Sequence, residues 1–375
     1  MDYKKLFKNY IFPISTIAGS IIGVGFFSLP FIASKVGIYL MLFYFVILTA
    51  LILLIHLIFG EISLKTPDYK RFPGFVGFYL GKIPQAFSFV SVILGYFGVL
   101  LVYLIVGGQF LNSLLSPIFG QSNLFYTFIY FLIATIIVYL GISTISKFEF
   151  IALLFLFISF VLVFLKGLPE FSLNNIFVWD LGFGIWDFFL PYGAIIFSLW
   201  GVGLIPEAEE MLRGNKKSFR RVIILSTLIP AIFFILFTIM VLGITGSNTT
   251  ESALTGLNDS LGNGVVLISL LMGVVITFSA FITHGLSLKR ILAYDLGIKE
   301  KQAVIISCFT PMILFLLGLN SFIGMISFVG GVLLGIDGIM ILLMYKKIGG
   351  KKYLIYPLSL VFLLGIVYEV VYFVK

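Results

Sequence analysis

Apolar residues are grouped along the chain into eleven long runs that short polar loops separate. A helix of roughly 20 apolar residues crosses the hydrocarbon layer of a bilayer, and these runs are close to that length. They occupy residues 10–34, 37–62, 85–114, 124–144, 149–168, 184–209, 219–245, 263–290, 302–318, 321–345 and 352–374. The pattern predicts an all-α integral membrane protein with about eleven transmembrane helices, here named spans 1 to 11.

Two of these spans contain residues that weaken helices. Span 1 includes IAGSIIGVGFFSLP at 17–30, and span 6 includes LPYGAIIFSLWGVGLIPEAEE at 190–210. Each stretch has a Gly-Val-Gly motif followed by a proline, and both residue types let the backbone leave the helix. Because lipid cannot satisfy the backbone groups that a broken helix exposes, such a break persists only where something polar fills it. We therefore predict that spans 1 and 6 are broken.

The two interrupted spans hold corresponding positions in the chain. Each begins a set of five spans, and because five is odd the two sets insert with opposite orientation. This predicts inverted repeats over residues 1–168 and 169–345, with an additional span in 346–375. Paired broken helices of this kind mark the binding sites of transporters. Their freed N–H groups suit a carboxylate and their freed carbonyls suit an ammonium group or a small cation, so a zwitterion fits both.

Composition and charge agree with a membrane protein and indicate its orientation. The chain of 375 residues is 61% hydrophobic and 11% charged, which excludes an ordinary soluble domain. All but three of its 24 lysines and arginines fall on one side of the alternating spans, the exceptions being Lys35, Lys166 and Lys375. Positive loops stay in the cytoplasm, so we predict a multi-pass cell-membrane protein with a cytoplasmic N-terminus and an extracytoplasmic C-terminus. The net charge of +8 thus reflects topology and not nucleic-acid binding.

The stretch GSIIGVGFFSLP in span 1 is similar to the GxxxGxGxFxLP pattern of amino acid permeases of the amino acid–polyamine–organocation (APC) superfamily. With eleven spans and GLIPEAEEMLRGNKKSFRRVI in and after span 6, the chain looks closest to the amino acid/auxin permease and aromatic amino acid permease branches. The resemblance implies a LeuT-type fold, a 5+5 inverted repeat in which spans 1 and 6 are broken.

The resemblance also implies that the substrate lies between the two breaks. It implies that the carbonyls of Ile21, Phe197 and Trp200 bind the amine. The carboxylate is expected on the amides of Gly23, Val24 and Gly25, with Ser20 or Ser198 assisting. Gly201 is expected in the break of span 6. Phe197 falls where relatives keep an aromatic gate over the substrate. Tyr96 and Tyr103 of span 3 are expected to form walls of the pocket.

Ionisable residues inside the membrane are costly, so each is a functional candidate. Asp337 in span 10 either exchanges a proton during transport or is a hydrogen-bonded structural acid, and the sequence leaves both open. Glu207 is predicted to link the end of span 6 to span 1 as an inner gate. His284 and His56 are candidate proton relays, although hydrogen-bonded packing is favoured for each. Glu369 lies near a span end and is expected to reach water.

The coupling ion is either Na⁺ or H⁺. In sodium-coupled relatives the ion lies between span 1 and span 8, and the matching oxygens here belong to Gly19, Ile22, Thr277, Ser279 and Thr283. Hard cations prefer such oxygen ligands. Some proton-coupled relatives carry a lysine in span 5 instead, and the middle of this span 5 has no charge. The remaining proton route is an acid such as Asp337.

The sequence therefore predicts a secondary transporter that imports neutral, apolar or aromatic amino acids by symport with H⁺ or Na⁺ through alternating access. No cofactor beyond that ion, no nucleic acid and no obligate protein partner is expected. An amino-acid-sensing receptor without net transport, and a carrier of nucleobases or other small solutes with the same fold, remain alternatives. A membrane enzyme is disfavoured because no metal motif and no Ser/His/Asp set lies at membrane depth.

Overall fold

A computed structural model describes residues 7–141, 145–177, 184, 187–212, 215–257, 261 and 263–374 of the chain. Within these ranges every predicted span contains helix. Eight helices are long and apolar enough to cross a membrane, and the bent first span makes a ninth. Helices Ile145–Gly167 and Glu300–Leu316 occupy the positions of spans 5 and 9.

Most spans are single helices. Their bounds are Ile38–Lys65 for span 2, Lys82–Phe119 for span 3, Asn123–Leu140 for span 4, Ile145–Gly167 for span 5, Lys216–Thr245 for span 7, Asn263–Arg290 for span 8, Glu300–Leu316 for span 9 and Lys352–Val374 for span 11. Two short helices, Phe72–Leu80 and Leu173–Ile176, lie in the loops that follow spans 2 and 5.

Spans 1 and 6 are broken, as predicted. The halves of span 1, Asn9–Ile21 and Gly25–Val36, meet at a bend of 49°. In span 6, helix Pro191–Leu199 ends before the extended residue Trp200, and helix Ile205–Leu212 begins beyond it. The residues that leave the helical conformation are Ile22 and Trp200, each directly before a Gly-Val-Gly motif, and Pro30 and Pro206 lie in the first turn of the helices Leu29–Val36 and Ile205–Leu212.

Span 10 contains an irregularity that was not predicted. Helix Phe322–Phe328 runs into a π-helical turn, Val329–Leu333, before the helix resumes as Leu334–Lys347. A π-turn inserts one extra residue into the helix and is frequently found at functional sites. No proline or charge marks this turn in the sequence, so periodicity alone did not reveal it.

Glycines allow close packing between spans. A Cβ on Gly108 of span 3 would overlap Thr127 of span 4, and a Cβ on Gly107 would overlap the Tyr130 ring. In lipid, helices associate through such packing contacts and not through removal of apolar surface from water. Large apolar side chains accordingly remain on the outside, for example Leu364 and Val367 of span 11, which are each 61% exposed.

Glu369 of span 11 differs from the prediction. It is only 1% exposed, so the expectation that it reaches water is wrong. Its side chain packs against Gly193 of span 6 and Gly331 of span 10. The prediction used the position of Glu369 near the end of span 11. Glu369 lies on the face of the helix that packs against spans 6 and 10, where the two glycines leave space for its carboxyl group.

Candidate functional site

The two breaks lie against each other. A Cβ built on Gly25 of span 1 would lie 2.6 Å from Ser198 Oγ and 2.7 Å from Phe197 Cδ1 of span 6. A Cβ on Gly201 of span 6 would lie 2.8 Å from Cγ1 of Ile21 in span 1. A larger side chain at either glycine would force the two spans apart, because the interior is close-packed. These glycines therefore permit close contact between the broken segments.

The break in span 1 begins at Ile22. The Ile22 amide still donates to the Ala18 carbonyl at 2.9 Å, but the Gly23 amide turns back to the Ile21 carbonyl at 2.8 Å. Ile22 has φ −77° and ψ 75°, which is the geometry of an inverse γ-turn. The Gly19 carbonyl would accept the Gly23 amide in a continuous helix, and here it loses that partner.

Two amides of this break are available to a ligand. In the described part of the chain, the amides of Val24 and Gly25 donate to no backbone carbonyl. Of the three amides implied for the substrate carboxylate, only that of Gly23 is used within the turn. Val24 and Gly25 directly precede the second half of span 1, where unpaired N–H groups and the helix dipole favour an anion.

The break in span 6 is held by His56 of span 2. The Gly201 amide donates to His56 Nε2 at 3.1 Å, and His56 Nδ1 lies 2.9 Å from Thr227 Oγ1 of span 7. Because Nε2 accepts, Nδ1 carries the proton and donates to Thr227. In a continuous helix the Gly201 amide would bond to the Phe197 carbonyl. His56 therefore releases that carbonyl, which the sequence resemblance implies as a ligand of the substrate amine.

Sequence reasoning missed this role of His56. It favoured a hydrogen-bonded packing histidine, and the ring is buried and hydrogen-bonded, but its partner is the unwound backbone of span 6, which was not predicted. The available signal was an ionisable residue at membrane depth in span 2. Which break the ring faces depends on how spans 2 and 6 pack, and the linear pattern does not contain that information.

Aromatic side chains surround the junction of the breaks. A Cβ on Gly23 would lie 2.7 Å from the Tyr103 hydroxyl, and the Tyr103 and His284 rings lie 5.4 Å apart. Tyr96 lies about two helical turns before Tyr103 in span 3, and its ring is 6.0 Å from that of His284. Phe197 packs directly on Gly25. Both predicted wall tyrosines are thus present, and Tyr103 is the one that contacts the break.

Several of these residues remain partly exposed although they lie between packed helices. The partly exposed residues are Gly23, Phe197, Trp200, Tyr96 and His284. The Trp200 ring lies 6.5 Å from that of His56, so span 2 also borders this region. These residues border the junction of spans 1, 3, 6 and 8. The side chains there are aromatic and the polar groups are main-chain atoms, a combination typical of small-molecule sites.

The two serines of the predicted site bond to their own helices. Ser20 Oγ donates to the Ile17 carbonyl at 2.8 Å, and Ser198 Oγ donates to the Ala194 carbonyl at 2.7 Å. A hydroxyl has one hydrogen to donate. In this geometry both oxygens can therefore accept a hydrogen bond from a ligand, which suits an ammonium group better than a carboxylate.

The hydroxyls of span 8 do not all face one way. Ser279 and Thr283 are four residues apart and share a helix face, whereas Thr277 lies about 200° around the helix from Ser279. Thr277 Oγ1 donates to the Gly273 carbonyl at 2.8 Å. Ser279 Oγ is buried and has no hydrogen-bond partner among the described residues. Two of the three predicted hydroxyl ligands can thus serve one site.

Asp337 is buried between spans 10 and 3. Ser91 Oγ of span 3 donates to Asp337 Oδ1 at 3.3 Å and also lies 3.4 Å from the Leu333 carbonyl. Leu333 is the last residue of the π-helical turn. The acid is therefore hydrogen-bonded, as one of its two interpretations requires, and it also lies beside the irregular segment of span 10.

Glu207 contacts the loop after span 2. The Tyr69 hydroxyl donates to Glu207 Oε1 at 3.3 Å, and burial together with the Glu207 charge raises the pKa of Tyr69 to about 12. Tyr69 thus remains a donor at physiological pH. Its neighbour Arg71 is ion-paired through Nη1 with Asp295 Oδ2 at 2.8 Å, beyond the end of span 8. The hydrogen bond of Glu207 is thus to this loop, whereas the prediction linked Glu207 to span 1.

Comparisons with known proteins give the family. The model of the tryptophan/tyrosine permease family matches residues 8–348. A curated relative, tyrosine-specific transport system 1 of Haemophilus influenzae, is 24% identical over 253 residues, which are 67% of this chain and 61% of the relative. The aligned part of the chain thus spans less than two thirds of that relative.

Solved structures give the fold. MhsT in complex with L-phenylalanine superposes with a TM-score of 0.60 at 16% identity, covering 95% of this chain and 98% of MhsT. A manganese transporter of Eremococcus coleocola gives 0.67 at 12% identity, covering 100% and 87%. The nucleobase-cation-symport-1 family transporter MHP1 gives 0.65 at 14% identity, covering 96% and 90%. These similarities confirm the predicted LeuT-type fold.

Proposed function

The chain belongs to the tryptophan/tyrosine permease family, and from this membership we propose that it is a secondary transporter that imports aromatic amino acids. The observation that carries the proposal is the meeting of two broken helices whose freed main-chain groups match a zwitterion. The tyrosine transporter among the relatives supports an aromatic substrate. A permease family also supports transport over enzymatic catalysis. Within the wider classification, we place the family in the APC superfamily.

The freed groups divide between the two charges of the substrate. The ammonium group binds the Phe197 carbonyl that His56 has released, and the carboxylate binds the amides of Val24 and Gly25. Backbone groups at helix ends suit these charges. The aromatic side chain of the substrate then packs against Phe197 and Tyr103, where ring contacts add to apolar burial.

Symport with H⁺ or Na⁺ drives import. For H⁺, a buried acid carries the proton; Asp337 is one such acid, hydrogen-bonded to Ser91 beside the irregular turn of span 10. For Na⁺, the released Gly19 carbonyl and the hydroxyls of Ser279 and Thr283 supply oxygen ligands of the type that Na⁺ accepts. The two options predict different driving gradients.

In alternating access, the bundle of the first repeat rocks against spans 3–4 and 8–9. The pairs Tyr69–Glu207 and Arg71–Asp295 join the loop after span 2 to spans 6 and 8, and we assign them to the cytoplasmic gate. The basic loops place this gate inside, with the N-terminus cytoplasmic and the C-terminus outside. Rocking of one bundle around a fixed midplane site is the behaviour expected of such repeats.

Uptake into proteoliposomes tests the proposal. Radiolabelled tryptophan, tyrosine, leucine, glutamate and putrescine are offered under imposed Na⁺ and pH gradients that are applied separately. We expect preference for tryptophan or tyrosine and dependence on one gradient. The variants Gly23→Leu and Gly201→Leu should insert normally and lose uptake, because a leucine at either site overlaps Tyr103 or Ile21. Preference for glutamate or putrescine would overturn the proposal.

A further inference from the structure

Glu369 is a buried acid that the proposed mechanism leaves unused. It lies in the last turns of span 11, outside the residues that the family model matches, and is 1% exposed. Its Oε1 has no hydrogen-bond partner within the described residues. Buried polar atoms are almost always satisfied, so an unpaired carboxyl oxygen at this depth calls for an explanation.

The carboxyl group is inserted between spans 6 and 10. A Cβ on Gly193 of span 6 would lie 2.5 Å from Glu369 Oε1 and in contact with the Ser327 carbonyl of span 10. A Cβ on Gly331, in the π-helical turn, would lie 3.0 Å from Glu369 Cδ. Ser327 Oγ is also buried without a partner among the described residues. Two glycines and one serine thus form a cradle for a single carboxyl group.

No cation balances this acid in the described part of the chain. The ion pairs there are Lys65–Glu61, Lys70–Asp68, Arg71–Asp295 and Lys289–Glu300, and none involves Glu369. The titratable groups that interact with it are Tyr192 of span 6 and Tyr368 and Tyr372 of span 11 itself, and the groups that act on these tyrosines are Asp187 and Tyr44. All of these are neutral or acidic.

A backbone hydrogen bond from Gly193 acts on this carboxyl group, but it brings no counter-charge, and burial of an ionised carboxylate without one costs several kcal/mol. The neutral acid instead has an O–H group to donate, and the Ser327 carbonyl that shares its cradle is an acceptor. After loss of the proton, the carboxylate and this carbonyl present only lone pairs to each other. The packing of span 11 on spans 6 and 10 therefore depends on whether the proton is bound.

We propose that Glu369 is a proton-binding site at the junction of spans 6, 10 and 11, and that its proton is exchanged during transport. The carboxylate takes the proton from water on one side and returns it to water on the other, so no further reactant is needed. This rests on the proposed function and specifies its coupling ion. The site reaches the substrate gate directly, because Gly193 precedes Phe197 by one helical turn and Gly330 packs against both residues.

Two transport measurements on Glu369→Gln test the coupling. Glutamine resembles the neutral acid, so the variant should fold, as size-exclusion chromatography will show. A pH difference of one unit drives about tenfold accumulation of a solute carried with one proton, since each tenfold ratio corresponds to about 1.4 kcal/mol. We expect this accumulation to vanish in the variant, while exchange of labelled for unlabelled substrate remains. Undiminished proton-driven accumulation, or failure of the variant to fold, would overturn the proposal.

Glu61→Gln is the matched control, because Glu61 is partly exposed and ion-paired with Lys65 on the surface. It should accumulate substrate as the unaltered protein does. Infrared spectroscopy of the protein in a bilayer separates failure of this proposal from failure of the proposed function. The protonated-carboxyl band should lose intensity in Glu369→Gln, and Asp337→Asn identifies the contribution of Asp337. If no amino acid is transported, this band still decides whether Glu369 holds a proton, and an unchanged band would overturn the site.

Discussion

At the scale of single residues, one histidine determines what the break in span 6 can offer. His56 accepts the Gly201 amide and donates to Thr227, so spans 2, 6 and 7 meet through one neutral imidazole ring. Without this acceptor, the remaining partner of the Gly201 amide is the Phe197 carbonyl, and that bond would restore a regular helix. The carbonyl would then no longer be available to an ammonium group.

Replacement of His56 by leucine should therefore weaken substrate binding. Without the acceptor the Gly201 amide bonds to the Phe197 carbonyl, and a ligand that takes this carbonyl leaves the buried amide unpaired at a cost of about 1–3 kcal/mol, which corresponds to a roughly 5- to 150-fold weaker affinity. Binding of radiolabelled tyrosine or tryptophan to the purified protein measures it. Ser226→Ala is the control, since Ser226 bonds only to its own helix at Val222 and Ile223. Unchanged binding by His56→Leu would remove His56 from the site.

Gly25→Ala tests the contact between the breaks. The added methyl group would lie 2.6 Å from Ser198 Oγ and 2.7 Å from Phe197 Cδ1, and Gly330 of span 10 packs behind Phe197. Overpacking of this kind costs about 1–3 kcal/mol, so uptake should fall roughly 5- to 150-fold. Gly203→Ala, also within the break of span 6, meets nothing within 4 Å and should transport normally. Equal uptake by the two variants would contradict the proposed contact.

At the scale of elements, the sequence predicted both broken spans because each Gly-Val-Gly motif with its following proline lies beside a break. Residues 22–24 of span 1 and Trp200–Gly201 of span 6 lie where the Gly-Val-Gly motifs indicated. What covers each break is a property of packing between spans, so His56 was assigned no role there. The inward turn of Glu369 and the π-helical turn of span 10 were missed for the same reason. Neither leaves a periodic signal along the chain.

The loop after span 2 has a role at this scale that its sequence did not indicate. Arg71 joins it to Asp295 beyond span 8, with both side chains partly exposed. Such a pair contributes about 0.2–1 kcal/mol, which is enough to shift a conformational equilibrium up to about fivefold. Replacing either residue by alanine should therefore favour the inward-open state. The double variant Arg71→Asp with Asp295→Arg should restore the balance.

A cysteine introduced at Ser20 reports this shift through its reaction with a thiol reagent. The natural cysteine, Cys308, is buried and leaves a low background. The matched control is removal of Glu300, which lies 3.5 Å from Lys289 at the adjoining ends of spans 8 and 9. This change should not alter labelling. Equal labelling in the Arg71→Ala variant and the unaltered protein would exclude a gating role for the pair.

At the scale of the whole molecule, the order of the helices in the described residues followed from hydropathy, and the fold followed from the spacing of the two interruptions. The LeuT-type architecture shared with transporters of different cargo shows that fold alone does not choose the substrate. The choice depends on a few atoms at the junction of spans 1 and 6. In our proposal these are main-chain groups for the charged ends of the ligand and aromatic rings for its side chain.

Determination of the structure with bound tyrosine or tryptophan tests this account most directly. We predict ligand density between residues 23–25 and 197–201, with the ammonium group on the Phe197 carbonyl and the carboxylate on the amides of Val24 and Gly25. The Gly201 amide should remain bonded to His56. A ligand bound elsewhere, or spans 1 and 6 present as continuous helices with the Gly201 amide on the Phe197 carbonyl, would contradict the account.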